Sequence, residues 1–318
     1  MRSSAEWMER HQVALYVAGL AVGAVLGLSL PGIARPAELA IEPVLALLLY
    51  ATFLGIPFGR IGRALRDRRF LSTVLVVDFV LVPLLVWPLS RLVADDRALL
   101  IGVLLVLLTP CIDYVIVFSG LAGGDEERLV AASPLLMLGQ ILLLPLYLWL
   151  FVGAELARSI DVAPFLEAFA FLIVLPLLAA ALTQLAAARS RLGRRLERAV
   201  LGAMVPLMVA TLAVVVASQI AGVSGRLDAL LRVVPVYVLF AAVMVPVGML
   251  AGRLAGLDVP GRRSLVFSGV TRNSLVVLPL ALALPAAFDL APLAVVTQTL
   301  VELAVMVVLV RLLPRLVR

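Results

Sequence analysis

Residues 98–121 read ALLIGVLLVLLTPCIDYVIVFSGL. About 20 apolar residues suffice for a helix to cross a bilayer, so the run is long enough to span one. Its centre, however, carries Thr109-Pro110-Cys111-Ile112-Asp113-Tyr114. Pro110 removes a backbone donor, and its ring clashes with the preceding turn. Asp113 puts an ionisable group where insertion costs at least ~2.5–3.5 kcal/mol. A second apolar run, 264–285, is interrupted in the same way by Ser268-Gly269-Val270-Thr271-Arg272-Asn273-Ser274. Pro110 and Gly269 are read as the helix breaks. Unwound backbone at membrane depth is tolerated only where protein or a cavity surrounds it. Two interrupted spans therefore predict two broken helices that enclose a site.

The rest of the chain agrees with a membrane setting. Of 318 residues, 64% are hydrophobic and 14% charged, and the mean hydropathy is +1.16. A soluble domain has about 45–50% apolar and about 25% charged residues. The composition excludes a soluble enzyme, a disordered chain and a secreted disulfide scaffold. One cysteine, Cys111, excludes an internal disulfide and a multi-cysteine metal site, so no metal or cofactor is expected. A net charge of +6 would also suit a nucleic-acid binder. In a membrane protein, basic cytoplasmic loops explain the same number, so the expected partners are the bilayer and a small solute, not nucleic acid.

Ten apolar runs of spanning length occur, near 13–30, 41–59, 71–93, 98–121, 129–153, 164–187, 199–221, 233–255, 264–285 and 291–313. The segment before the first lacks a small-residue cleavage site, so that run is expected to stay as a span. All 26 basic residues are arginine. With arginines within three residues of a span end counted with the adjoining loop, ten crossings place nineteen on the side of both termini and six on the other, and only Arg272 lies deep inside a span. Arginine-rich loops face the cytoplasm, so both termini are expected there, in a plasma membrane.

The two halves overlay at an offset of 163: Pro43 falls on Pro206, Pro83 on Pro246 and Asp95 on Asp258. Each half has five spans, an odd number, so the second enters from the opposite face. The expectation is an all-α membrane protein built from inverted repeats, residues 1–153 and 154–318, with spans 4 and 9 broken and crossing. Such repeats mark secondary transporters with a midplane site.

Four charged residues lie deep within spans: Asp78, Asp113, Arg272 and Glu302. Asp113 and Arg272 hold equivalent places in the two breaks and read as a paired substrate site, or as an ion pair locking the helices. Asn273 and Ser274 extend that site. Glu302 shares roughly one helix face with Thr297, Gln298 and Thr299. It reads as a proton carrier, with Asp113 as the second proton-coupling group, or as a helix-packing hydrogen bond. Asp78 reads as structural. From spacing, Cys111 is either a small apolar filler or a soft ligand for a thiophilic substrate. An intramembrane aspartyl protease would need two facing Asp groups sharing protons, and the context of Asp78 and Asp113 does not supply it. No enzyme is expected.

The run Leu108 to Leu121, with Thr109-Pro110-Cys111 and Phe118-Ser119-Gly120-Leu121, resembles the fourth span of the arsenical-resistance permeases, a branch of the bile acid/sodium symporter superfamily. Gly124-Asp125 and Leu300-Val301-Glu302 extend the likeness, and the ten-span pattern covers nearly the whole chain. The resemblance implies a panel and a core domain, efflux of arsenite or a related metalloid, and a tie between Cys111 and metalloid transport. The chain departs from the pattern where arsenite carriers have an Asn-Asn-Phe-Glu run, because it has Arg272-Asn273-Ser274-Leu275. Where the sodium-coupled branch has its sodium-binding Glu and Gln, this chain has Ser268 and Arg272. The Ser-Asn of that branch falls on Val115 and Ile116. The expected function is Na⁺-independent, proton-coupled export of a small arsenic-type oxyacid, as an antiporter. A rival is a carrier of small organic anions with Arg272 as counter-ion.

Overall fold

The structure, a computed structural model, describes residues 7, 8, 11–55, 66–112, 114–153, 170–224 and 226–318. It is nearly all helical. Among the described residues, five helices are long and apolar enough to cross a membrane: Ala34–Gly55, Arg68–Val93, Glu126–Val152, Leu227–Leu254 and Ala286–Leu316. A bent pair, Arg191–Gly202 with Met204–Ser218, gives a sixth if taken as one span. Large apolar side chains such as Leu84, Leu142 and Leu250 stand exposed on these helices, as lipid-facing positions do. The chain is a multi-pass membrane protein.

The helices form two compact units, and each unit takes one segment from each half of the sequence. The first unit comprises residues 1–56 and 162–227. Its helices are α1 (Gln12–Ser29), α2 (Ala34–Gly55), α7 (Leu175–Arg189), α8 (Arg191–Gly202) and α9 (Met204–Ser224). Gly19, Gly23 and Gly27 repeat every fourth residue and so line one face of α1. A Cβ there would lie 3.0, 2.4 and 2.6 Å from the carbonyls of Val209, Ala213 and Ala217 on α9. Only glycine permits that approach. In lipid, where no hydrophobic drive joins helices, small-residue contact of this kind is what holds them.

The second unit comprises residues 57–161 and 228–318. Its helices are α3 (Arg68–Val93), α4 (Arg97–Leu107), α5 (Tyr114–Leu121), α6 (Glu126–Val152), α10 (Leu227–Leu254), α11 (Val259–Val270), α12 (Ser274–Leu282) and α13 (Leu290–Leu316). Helix α3 widens into a π turn at Val77–Leu81. The cause lies two residues on. Pro83 has no N–H for the carbonyl of Phe79, four residues earlier. The hydroxyl of Tyr147 supplies the donor instead, at 2.6 Å. The π turn carries Asp78 into the protein interior.

Both interrupted runs are broken. Helix α4 ends at Leu107 and α5 starts at Tyr114; α11 ends at Val270 and α12 starts at Ser274. Gly269 is not the second break. It stays in the last turn of α11, and the chain leaves the helix at Thr271, whose ψ is 139°. The Asn273 side chain restarts it, accepting from the Val276 N–H at 3.2 Å.

Candidate functional site

The two breaks meet. The N–H of Asn273 donates to the Thr109 carbonyl at 2.8 Å, and the N–H of Cys111 to the Thr271 carbonyl at 3.4 Å. These bonds flank an antiparallel bridge between Pro110 and Arg272. In that register the bridged residues are the pair that exchange no hydrogen bond with each other. The missing N–H of Pro110 therefore costs nothing there. The N–H of Arg272 is likewise released from the bridge, and it donates to Glu302 Oε2 at 2.7 Å.

The Arg272 side chain is fully buried and lies among carbonyls. Its Nη2 is 2.6 Å from the Ser268 carbonyl and 2.9 Å from that of Gly269, both in the last turn of α11. Its Nη1 is 3.4 Å from the Leu107 carbonyl, the last residue of α4. The guanidinium thus caps the carbonyl ends of both broken helices, where the helix dipole favours a cation. Its Nη2 also meets Asp78 Oδ1 at 2.7 Å. The hydroxyl of Ser268 donates to the other carboxylate oxygen at 2.8 Å. The Phe240 ring lies 5.5 Å from the guanidinium carbon, a cation–π contact.

Sequence reasoning read Asp78 as structural and did not join it to Arg272. Its signal, one more intramembrane carboxylate just before Pro83, was present but named no partner. Asp113, expected to meet Arg272, lies outside the described residues. Cys111 is fully buried in the extended segment of the break. Asn273 caps α12, and its Nδ2 has no hydrogen-bond partner among the described residues. Ser274 pairs with Thr299 through their hydroxyls at 2.7 Å. Glu302 also accepts from Gln298 Nε2. Gln298 and Glu302 line a small recess beside Leu107, Phe240 and Val270, with room for about one water molecule. Gln298 Oε1 is buried there and has no partner among the described residues.

Residues 42–226 match the family model described as the Sodium Bile acid symporter family. That is more than half of the chain. The chain belongs to this family. No curated protein matches it. As a family member it is a transporter of the bile acid/sodium symporter type, which fits a multi-pass helical chain with buried charges at crossed helix breaks. Part of the motif that carried the resemblance serves the architecture of this family member. Ser119 and Ser264 share a hydrogen bond at 3.0 Å, and the Asp125 N–H donates to Ser264 at 2.6 Å. A Cβ on Gly124 would lie 2.2 Å from the Ser119 hydroxyl. Ser119, Gly124 and Asp125 thus join the end of α5 to the start of α6 and to α11.

Proposed function

We propose that this symporter-family protein is a Na⁺-independent, proton-coupled exporter of a small metalloid oxyacid of the arsenite type. Ten spans, arranged as inverted repeats over 1–153 and 154–318 with both termini in the cytoplasm of a plasma-membrane antiporter, are part of the same reading. The observation that carries it is the place of Arg272. In the sodium-coupled branch a cation sits between the broken helices, facing the carbonyl ends and a carboxylate. Here a side-chain cation faces the carbonyls of Leu107, Ser268 and Gly269 and the carboxylate of Asp78. This cation is part of the chain, so it never leaves. A carrier with a resident cation needs no sodium to neutralise the crossing.

With sodium gone, the remaining candidates for a moving ion are protons. Glu302 holds the released N–H of Arg272 and so connects its own protonation to the geometry of the break. Asp113, next to the crossing in sequence, is the second proposed proton-coupling group. Cys111 sits at the crossing itself and is the soft ligand the reading needs. Asn273 and Ser274 complete the proposed substrate contacts. The organic-anion reading requires Arg272 to offer its charge to the substrate. The ion pair with Asp78 speaks against it, because that charge is already matched.

The test is flux in everted vesicles, with arsenite, arsenate and a set of organic anions, each with and without Na⁺ and a pH gradient. Arsenite accumulation driven by the pH gradient and indifferent to Na⁺ is the expected result. Transport of an organic anion alone would replace the substrate assignment.

A further inference from the structure

Helix α8, RLGRRLERAVLG over Arg191–Gly202, differs from every neighbour in its unit. It carries Arg191, Arg194, Arg195 and Arg198 against a single acid, Glu197. It sits between two apolar helices, α7 ending at Arg189 and α9 starting at Met204, and its axis is bent 45° from that of α9. Its start is fixed. The Ser190 hydroxyl accepts from the Gly193 N–H at 2.9 Å. A Cβ on Gly193 would lie 2.5 Å from the Ala186 carbonyl, so the glycine lets α8 fold back directly onto the end of α7. Arg194 Nη1 donates to the Ala187 carbonyl at 3.2 Å, which holds the corner from the other side.

With one face so fixed, two others remain outward. Leu192 and Leu196, four residues apart, form one stripe and are 77% and 50% exposed. Arg191, Arg195 and Arg198 form the adjoining stripe, at the same helical spacing, and all three are exposed. A leucine stripe beside an arginine stripe, at the turn between two apolar helices, has the character of an in-plane interfacial helix. Leucine belongs with acyl chains, and guanidinium pairs with phosphate through two parallel N–H donors.

We propose that α8 is a recognition surface for anionic phospholipid: Leu192 and Leu196 insert at the acyl boundary, and Arg191, Arg195 and Arg198 bind the phosphodiester headgroups. The charge excess selects the occupant. A zwitterionic headgroup cancels the charge of its phosphate with a cation of its own, and an anionic one keeps a net negative charge. Each arginine near such a surface contributes about one factor of five to affinity, so removing three lowers it on the order of a hundredfold. The assignment is independent of the transported solute.

To test it, the full chain carries Ala199→Cys, at an exposed position of α8, with an environment-sensitive fluorophore, in lipid nanodiscs of phosphatidylcholine doped with nitroxide-labelled phosphatidylglycerol or, in parallel, nitroxide-labelled phosphatidylcholine. The expected result is stronger quenching by the labelled phosphatidylglycerol, a preference that added salt weakens and that Arg191→Gln with Arg195→Gln and Arg198→Gln abolishes. Since these three side chains are exposed, the variant keeps its packing. Arg195→Glu alone is a second variant, in which the preference for phosphatidylglycerol declines while quenching by labelled phosphatidylcholine persists. Three results overturn the proposal: equal quenching by both lipids in the parent chain, quenching by neither, or an unchanged preference in the triple variant.

Discussion

The Arg272 guanidinium meets the Asp78 carboxylate at 2.7 Å, and neither side chain has any exposure. One partner comes from a π turn caused by Pro83, the other from an extended segment opposite Pro110. Two prolines thus shape the segments that carry the pair.

That pair predicts a particular pattern of stabilities. Removing one partner leaves an uncompensated buried charge, which costs about 3–5 kcal/mol. Arg272→Gln and Asp78→Asn should each lower the thermal unfolding midpoint of the purified protein sharply. Arg272→Gln should be the worse, because it also uncaps the carbonyls of Leu107, Ser268 and Gly269. The double variant should recover the part of the Arg272→Gln loss that comes from an unpaired Asp78, and no recovery at all would mean the two charges are not coupled.

Glu302 joins the crossing through the N–H of Arg272 and the amide of Gln298. Glu302→Gln keeps an acceptor for the N–H and removes the exchangeable charge. We expect folded, inserted protein whose solute flux no longer responds to a pH gradient in everted vesicles. A response equal to the parent's would take Glu302 out of the coupling mechanism.

Cys111 lies in the break, and serine is close in size. Cys111→Ser should leave insertion and thermal stability nearly unchanged, because the backbone bond from its N–H to Thr271 is retained. Loss of most arsenite flux in that variant is expected. Undiminished flux would return Cys111 to a packing role.

A separate prediction concerns the N-termini of three helices. Asp67, Asp125 and Asp258 cap α3, α6 and α11, and all three form ion pairs with Arg128. Burial pushes the Asp258 carboxyl up, but the hydrogen bond and charge of Arg128 outweigh it and hold the group below the ordinary carboxylate range. A carboxyl depressed in the folded chain stabilises it above the unfolded pKa, near 3.9, and that contribution is lost as pH falls through the lower folded value. Arg128→Gln should cost about 1 kcal/mol at neutral pH, since the cluster is partly exposed. Thermal midpoints recorded down a pH series should show a shallower acid decline in this variant than in the parent.

Much of this was legible in the sequence, and for identifiable reasons. Pro110 and the polar run 268–274 announced two helix breaks, because unwound backbone in lipid has few alternatives. The second break was placed at Gly269 and falls at Thr271–Asn273, since local flexibility does not fix where a helix stops. The stop is set by the backbone bonds to Thr109 and Cys111 on another segment. The partner of Arg272 was unreadable for the same kind of reason. Asp78 lies 194 residues away, and sequence spacing speaks only to neighbours on one helix. The close α1–α9 contact left its trace as glycines at every fourth position, which hydropathy alone does not weigh.

On the proposed reading Arg272 is a resident cation in the place of sodium. The most direct measurement uses the purified protein without any solute. Its thermal unfolding is followed through a titration with NaCl, against choline chloride at matched ionic strength. The account predicts superimposable curves, with no sodium-specific stabilisation in the parent chain. A saturable rise in the unfolding midpoint with Na⁺ but not with choline would contradict it, because a bound ligand of the native state must stabilise that state.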